Sequence, residues 1–233
     1  MGAKTTETRT YSRDEAVVFR KTNERFGGLS NMAPGFPLEV NGVHIRTAEA
    51  LYQACRFPHL PKVQKLILDE PSPMTAKMRS KPYRKDSLDD WNAVRVPIMK
   101  WCLRVKLAQN WVAFGDLLLA TGDYPIVEDS RKDDYWGAKT IDDGTLSGKN
   151  VLGRLLMELR EKLKRDPENL KVVDPPPLAD FLLLGEIIPT IAAGVSKRSV
   201  PMKAQTTPPA PRGFLDDCYA LSSVIQREKA SSR

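Results

Sequence analysis

Residues 119–160 read LATGDYPIVEDSRKDDYWGAKTIDDGTLSGKNVLGRLLMELR, and this stretch organises the rest of the chain. Between two apolar helical segments, the ten residues 128–137 combine carboxylates, cations and an aromatic pair. The carboxylates are those of Glu128, Asp129, Asp133 and Asp134. A carboxylate-rich loop that also carries a Trp favours chemistry on a polar, ring-bearing substrate. A solvated acidic loop whose Trp caps the core has the same composition, because structural ion pairs use the same residues.

The end of this stretch predicts an anion site at the start of a helix. Leucines follow Asn150 at the spacing of an amphipathic helix: Leu152, Leu155, Leu156, Leu159 and Leu163. Asn150 suits an N-cap, and Gly148-Lys149 would offer free N–H groups, a positive dipole end and a cation. Gly144–Asn150 is not a P-loop, because three residues instead of four separate its glycines and Asn replaces the Ser or Thr that holds magnesium. It is interpreted as an anion cradle.

Length and charge indicate one globular domain with an extension. The chain has 233 residues, of which 41% are hydrophobic and 28% are charged, as is ordinary for a folded protein. Residues 1–165 hold 28 basic against 21 acidic side chains, so they carry the whole net charge of +7. This excess of positive charge favours phosphate-bearing partners.

Cysteine and histidine usage argues against disulfides and metal sites. Cys55, Cys102 and Cys218 are odd in number and far apart, which predicts reduced thiols in a cytoplasmic protein. The two histidines have no cysteine pattern around them, so neither a metal site nor a cofactor is expected. No apolar run reaches membrane-spanning length, so no membrane association is expected.

Local patterns predict a few strands and several helices. Val17–Phe19 is a strand candidate, and Leu38–Ile45 alternates around Asn41-Gly42, which predicts a β-hairpin. Thr47 is the expected N-cap of a helix over 48–57, whose polar stripe is either a site wall or an exposed face. Further helices are predicted at Val63–Asp69, from Ser72-Pro73, over Trp91–Val105 with a kink or restart at Pro97, and at Trp111–Ala120. Trp91 and Trp101 are assigned to the core, and 81–86 to a charged loop.

Three regions are expected along the chain. Residues 1–14 are polar and expected to be disordered, residues 15–165 form the folded domain, and residues 166–233 form an arm with short helices. Nine of the eighteen prolines lie in 167–211, which predicts an extended arm. Phe181–Leu184 and Ile187-Ile188 are too apolar for water and are expected to dock on the domain or on a partner. Phe214–Lys229 is a candidate for one last helix.

Several dispersed sequence blocks occur in one order between residues 17 and 163. They are Leu29-Ser30-Asn31 with Pro34; Thr47-Ala48-Glu49 with Tyr52-Gln53 and Arg56-Phe57; Ala76-Lys77; Trp91 with Arg95 and Met99; Leu119–Gly122; and Glu128–Gly137 leading to Gly148-Lys149-Asn150. This order resembles the NADAR family of YbiA-like proteins. The resemblance implies a mainly α (α+β) fold, an orthogonal helical bundle with a small β-hairpin. It also implies an N-glycosidase that cleaves a ribosyl–nitrogen bond in a phosphorylated substrate without a metal.

Two branches of the family differ in substrate. One cleaves early intermediates of riboflavin biosynthesis, and the other removes ADP-ribose from guanine and is similar to antitoxins paired with DarT-type DNA ADP-ribosyltransferases. The chain departs from the riboflavin-type pattern at Leu29, Met32, Ala50-Leu51 and Ala138-Lys139. These departures and the basic domain favour ADP-ribosylated guanine, in DNA or in nucleotides, as the substrate. A DarT-type toxin partner and a monomeric state are expected with it.

Cleavage of a ribosyl–nitrogen bond passes through an oxocarbenium-like state, so the site needs a proton donor, a water-activating base and a group that stabilises the cation. Glu49 is the candidate acid or base, and Asp129 or Asp134 would stabilise the cation. Lys77 is either a phosphate contact or an amine that traps the opened ribose as an imine.

The other candidates bind the substrate. Trp136, beside Gly137, would stack on a base or form a wall for the ribose. Hydroxyl and pyrophosphate contacts are expected from Ser30, Asn31, Arg46, Gln53, Lys149 and Asn150. A non-catalytic module that binds ADP-ribose would use the same pocket without turnover.

Overall fold

The computed structural model describes residues 7–194, which form a mixed α/β fold. Its α-helices are α1 (Ala48–Ala54), α2 (Pro61–Leu68), α3 (Pro73–Ser80), α4 (Trp91–Gln109), α5 (Trp111–Leu119) and α6 (Val151–Arg165). Short 3-10 helices lie at Gly27–Leu29, Lys81–Asp86 and Glu168–Leu170. Helix α4 contacts α1, α5 and α6, so it packs against helices from both halves of the chain. Within 7–194, no helix is both long and apolar enough to cross a bilayer.

The β-structure includes the predicted strand at Val17–Phe19 and the predicted hairpin, and it is more extensive than these two features. The strands are β1 (Arg9–Ser12), β2 (Val17–Phe19), β3 (Leu38–Val40), β4 (Val43–Ile45), β5 (Ile126–Glu128), β6 (Lys139–Asp142), β7 (Thr145–Gly148), β8 (Val172–Val173), β9 (Leu182–Leu183), β10 (Glu186–Ile187) and β11 (Ile191–Ala192). They form a three-stranded sheet in the order β1-β7-β6 and four pairs: β2–β5, β3–β4, β8–β11 and β9–β10. Only β2–β5 is parallel among these described pairs.

The prediction of a disordered segment 1–14 is wrong for residues 9–12. These residues form β1, which pairs antiparallel with β7 from Arg9 opposite Gly148 to Ser12 opposite Thr145. Polar composition alone suggested fraying, but a strand partner more than a hundred residues away supplies the backbone hydrogen bonds. Residues 1–6 lie outside the described part of the chain.

The β3–β4 hairpin and the start of α1 are confirmed. Asn41 and Gly42 adopt positive φ values of 54° and 71°, as the two-residue turn requires. Thr47 caps α1, and its Oγ1 accepts a hydrogen bond from the Ala50 amide (3.3 Å). The helix ends at Ala54, before the predicted Phe57, because the residue that precedes Pro58 disfavours helical backbone.

The structure excludes one of the two alternatives at Pro97, the restart, and corrects the loop predicted at 81–86. Helix α4 runs without a restart through Pro97, whose ring lies on the exposed side of the helix. There the Ala93 carbonyl that loses its helical donor can be solvated. The expected charged loop at 81–86 is a 3-10 helix.

The stretch between α5 and α6 is not a free loop, because paired strands lie at both of its ends. Strand β5 pairs in parallel with β2, Val17 opposite Ile126 and Phe19 opposite Glu128. Residues 139–148 form the β6–β7 hairpin, which β1 extends. These pairings fix both flanks of the acidic segment 128–137.

The described part of the C-terminal region, residues 166–194, packs on the domain. Phe181, Leu183 and Ile188 are buried, and the Phe181 and Trp101 rings pack edge to face with their centroids 5.4 Å apart. The Gln64 amide donates to the Leu182 carbonyl (2.9 Å) and accepts from the Leu184 amide (2.6 Å). The predicted helix Phe214–Lys229 lies outside the described residues.

Replacement of Phe181 by Ala should destabilise the domain by about 3–5 kcal/mol, since a buried aromatic ring is lost from a packed contact. Ile187→Ala is the matched control, because Ile187 belongs to the same segment and is 79% exposed. The control should stay within about 0.5 kcal/mol of wild type in urea unfolding. Equal stability of the two variants would contradict docking of this segment.

Candidate active site

A cavity of about 430 Å³ gathers most of the candidate residues, and its size lies in the range of roughly 300–1,000 Å³ typical of small-molecule sites. Helix α1 contributes the polar side chains of Glu49, Tyr52 and Gln53 to it, and Arg56 follows just after the helix. These side chains therefore line a cavity and do not form an exposed face. Ser30 and Asn31 line the cavity from the loop before β3, and Lys77 lines it from α3.

Glu49 is the most deeply buried carboxyl group of the cavity. It lies in the first turn of α1, and only 6% of its surface is exposed. The Gln53 amide donates to its Oε1 (2.9 Å), and the Ser80 hydroxyl in turn donates to Gln53 Oε1 (2.7 Å). Burial raises the pKa of Glu49, while the Lys77 ammonium and the Gln53 amide oppose that rise.

Glu128 lines the cavity but is not among the candidate residues named from the sequence. It is the last residue of β5 and lines the cavity. The residue is half-buried. Burial first, and then the carboxylates of Glu49 and Asp133, raise its pKa to about 7. Lys77 opposes this shift as well. When two carboxyl groups with raised pKa values interact in one cavity, one of the two groups can stay protonated near neutral pH.

Asn150 and Gly137 hold the Glu128 segment from behind and do not line the cavity. Asn150 occupies the N-cap position of α6 with φ 47°, but its side chain makes no capping bond. Its Oδ1 accepts from the Glu128 amide (3.2 Å), and its Nδ2 donates to the Ile126 carbonyl (2.8 Å). A Cβ on Gly137 would lie 2.5 Å from the Glu128 carbonyl oxygen, so only glycine allows this approach. Both residues position β5.

The anion cradle at the start of α6 is contradicted. The amides of residues 149–152 donate to the carbonyls of residues 134–137, at distances between 2.7 and 3.0 Å. The N–H groups that a phosphate would need are thus already bonded. Lys149 lies outside the cavity, with its Nζ 5.5 Å from the centre of the Tyr135 ring.

The predicted cation-stabilising aspartates are also corrected. Asp134 is 62% exposed, and its bond to Lys139 (2.8 Å) lowers the pKa of its carboxyl. Asp129 does line the cavity, but Arg13 pairs with it at 2.8 Å. Asp133 occupies the place expected for Asp134: it lines the cavity, and its Oδ1 accepts from the Tyr135 and Trp136 amides. Arg46 is exposed and lies outside the cavity.

Aromatic rings form one wall of the site. Tyr52 contacts Trp91 and Trp136, with ring centroids 5.3 Å and 5.7 Å apart. The sequence predicts Trp136 at the site, whereas it assigns Trp91 to the core alone. Guanidinium groups cover the ends of this wall: Arg56 lies 4.6 Å from the Trp91 ring centre, and Arg95 lies 3.8 Å from that of Tyr135. A flat ring beside an anion would match this surface.

A family model described as the NADAR domain matches residues 18–164. The chain belongs to the NADAR family. The N-glycosidase YbiA of Escherichia coli is 39% identical over 154 residues, which cover 64% of this chain and 89% of YbiA. A riboflavin biosynthesis protein of Vibrio vulnificus is 34% identical over 67% of this chain, but the match spans only 41% of that protein.

The NADAR fold is also seen in a solved relative. The NMR structure of E. coli YbiA superposes with a TM-score of 0.55 at 31% identity, covering 67% of this chain and 92% of that one. The described residues 166–194 extend past the matched NADAR region, which ends at 164. The packing of Phe181 therefore adds to the family domain.

Lys106 fixes the loop that brings Ser30 and Asn31 into the NADAR site. Its ammonium is buried and donates to the carbonyls of Gly28 (2.7 Å) and Ser30 (3.0 Å). The rings of Phe36 and Phe114 lie 4.5 Å and 4.3 Å from its Nζ. Burial lowers the pKa of Lys106 to about 7. The sequence does not reveal the role of Lys106, because the residue pattern of α4 does not distinguish a buried lysine from an exposed one.

Asn31 offers an unused acceptor to a ligand. It is 4% exposed, and its Nδ2 donates to Met99 Sδ (2.6 Å). Its Oδ1 has no hydrogen-bond partner among the described residues. A buried acceptor without a partner is costly, so a donor on the substrate would stabilise it. In residues 7–194, His, Cys, Asp and Glu form no group of three or more suited to a metal ion.

Proposed function

We propose that the protein is an N-glycosidase that hydrolyses the bond between ribose C1 and the guanine nitrogen of ADP-ribosylated guanine. The observation that carries the proposal is the pair of buried carboxyl groups, Glu49 and Glu128, in one cavity with aromatic rings and cations. The names of two relatives, the N-glycosidases of E. coli and Nostoc punctiforme, support the reaction class. Reversal of guanine ADP-ribosylation would make the protein an antitoxin against a DarT-type transferase.

In the proposed reaction, Glu128 donates its proton to the leaving nitrogen as the C1–N bond breaks. A pKa of about 7 suits this role, since the group is still protonated near neutral pH and can release the proton in the reaction. The ribose is left as an oxocarbenium-like cation. Glu49 accepts a proton from the water that attacks C1, and its negative charge stabilises the cation.

Lys77 explains how two neighbouring carboxyl groups can share one proton. It opposes the rise in the pKa of both Glu49 and Glu128, so it favours one ionised group in the pair. Of the two roles expected for Lys77, imine formation is not needed for hydrolysis. We therefore propose that its ammonium maintains one carboxylate of the pair.

The lining of the cavity supports a substrate with a base and phosphates. Trp91 and Trp136 line the cavity and supply aromatic surface for a base, and the guanidinium groups of Arg56 and Arg95, which also line it, supply positive charge. Further arginines around the cavity are exposed: Arg20, Arg84 and Arg131. Exposed arginines at a site entrance would bind neighbouring phosphates of a nucleic acid in a salt-dependent manner.

A second candidate substrate is a phosphorylated intermediate of riboflavin biosynthesis. The matches to riboflavin biosynthesis proteins of Vibrio vulnificus and Zea mays favour it. The same carboxyl pair would cleave its ribosyl–nitrogen bond. The two candidates differ in size and charge, since only ADP-ribose carries a diphosphate and a second nucleoside.

The two candidates can be separated by measuring kcat/KM for an ADP-ribosylated guanine oligonucleotide and for a phosphoribosylated pyrimidine of the riboflavin type. The proposal expects the oligonucleotide to be the better substrate, and its kcat/KM to fall with added salt. A higher kcat/KM for the pyrimidine would assign the second function. Binding of the oligonucleotide without product release would contradict catalysis.

Arg95→Ala should weaken binding of ADP-ribose about tenfold to a hundredfold, because a charge-assisted hydrogen bond to phosphate is worth ~1.5–3 kcal/mol. Arg95 lines the cavity, and its Nε has no hydrogen-bond partner among the described residues. Lys149→Ala is the control: it removes a cation outside the cavity and should leave affinity unchanged. Titration calorimetry at low salt measures both. A larger loss in the Lys149 variant would restore the anion cradle and exclude this account of phosphate binding.

A further inference from the structure

A second cavity, of about 670 Å³, lies beside the catalytic one. The two share a wall formed by the segment that follows α3. Arg56 lines the catalytic cavity, and its Nε donates to the hydroxyl of Ser87, which lines the second cavity (2.7 Å). The Leu88 amide also donates to the Arg56 carbonyl (3.2 Å). Hydrogen bonds of Arg56 thus connect the linings of the two cavities.

Neighbouring residues of the shared wall belong to different cavities. Arg84 lines the catalytic cavity, whereas Tyr83 and Lys85 line the second one. A diphosphate that leaves the catalytic cavity at this point would lie near Arg56 and Arg84, which both line that cavity. Guanidinium groups bind phosphate oxygens well because their N–H donors form a planar fork.

The lining of the second cavity suits a nucleoside. Tyr83 contributes a half-buried ring, and Leu60, Val63 and Leu88 contribute apolar side chains. Asp86 and Asp89 contribute carboxylate oxygens, which can accept hydrogen bonds from ribose hydroxyls or from an amino group. A base ring between apolar side chains with acceptors at its edge is a common form of nucleoside recognition.

We infer that the second cavity binds the nucleoside at the far end of the diphosphate while the reacting ribose occupies the catalytic cavity. The inference rests on the proposed function, because it requires a substrate with a diphosphate and a second nucleoside. A monophosphorylated ribosyl substrate has no group to place there. Occupation of both cavities would make the enzyme select ADP-ribosyl groups over phosphoribosyl groups.

The test compares binding of two ligands, ADP-ribose and ribose 5-phosphate, by titration calorimetry. Wild type should bind ADP-ribose more tightly. Tyr83→Ala should weaken ADP-ribose about tenfold or more, since stacking on an aromatic ring contributes that much to base binding. Tyr83→Phe, which keeps the ring, should retain most of the affinity. Affinity for ribose 5-phosphate should not change in either variant.

A second variant keeps the test valid if Tyr83→Ala fails to fold. Asp89 is exposed, so Asp89→Trp should fold and fill the second cavity. It should weaken ADP-ribose and leave ribose 5-phosphate unaffected. Unchanged ADP-ribose affinity in both Tyr83→Ala and Asp89→Trp would overturn the inference, as would equal affinity of wild type for the two ligands. Absence of turnover with correct ADP-ribose selectivity would instead exclude the proposed function and leave the binding site standing.

Discussion

Glu49→Gln is expected to reduce kcat by about 10²–10⁴-fold, the range typical for loss of a general acid or base. The amide keeps the shape of the side chain and can still accept the hydrogen bond from Gln53, so the fold should be unaffected. It can neither take a proton from water nor carry the negative charge that stabilises the oxocarbenium-like state. Single-turnover kinetics and a melting curve measure the two effects separately.

Asp134→Asn is the matched control for this variant. It makes the same change from carboxylate to amide in an exposed residue that pairs with Lys139 outside the cavity. Its turnover should stay close to that of wild type. A Glu49→Gln enzyme with wild-type kcat would remove Glu49 from the mechanism, and a strong loss in the Asp134 variant would move the catalytic carboxylate to that loop.

Glu128→Gln is expected to show a comparable loss, of about 10²–10⁴-fold, and to change the pH profile. In wild type the proton donor is present below its pKa, so kcat should fall as pH rises through about 7. The variant has no proton to lose there, and its residual rate should not show that decline. A profile that still falls near pH 7 in Glu128→Gln would assign the titration to another group.

The same substitution should affect stability in the opposite direction. Because the folded-state pKa of Glu128 is raised, the folded protein binds more protons than the unfolded chain between its ordinary pKa and about 7. Stability from this group is complete below the ordinary pKa and is lost as pH rises through about 7. Glu128→Gln removes that loss, so its melting temperature should exceed that of wild type at pH 8. Greater stability with lost activity distinguishes a catalytic carboxyl group from a structural one.

Features set by neighbouring residues could be predicted from the sequence. The Asn41-Gly42 turn, the Thr47 cap and the Ser72-Pro73 helix start each depend on backbone geometry within a few residues. The polar stripe of α1 also follows from helical periodicity. For this reason periodicity places Glu49 and Gln53 on one side of α1, where both line the cavity.

Features set by distant parts of the chain could not be predicted. Glu128, Asp133 and Asp134 lie in one acidic segment, and only the pairing of β5 with β2 and the Asn150 contacts decide which of them face the cavity. The backbone amides at the start of α6 donate to the carbonyls of residues 134–137. The sequence around α6 does not reveal these acceptors. Trp91 has the spacing of a core residue and is largely buried, but its ring also lines the cavity. In each case the sequence shows the residue but does not show which distant residue it contacts.

The most direct test of the central claim is the identity of the products released from an ADP-ribosylated guanine oligonucleotide, measured by mass spectrometry. The account predicts free ADP-ribose and an oligonucleotide with unmodified guanine, because the C1–N bond is the one that breaks. A ribosyl phosphate left on guanine would show that the diphosphate was cleaved instead. That result, or recovery of the intact adduct from a protein that binds it, would contradict the assignment of Glu49 and Glu128 as an N-glycosidase pair.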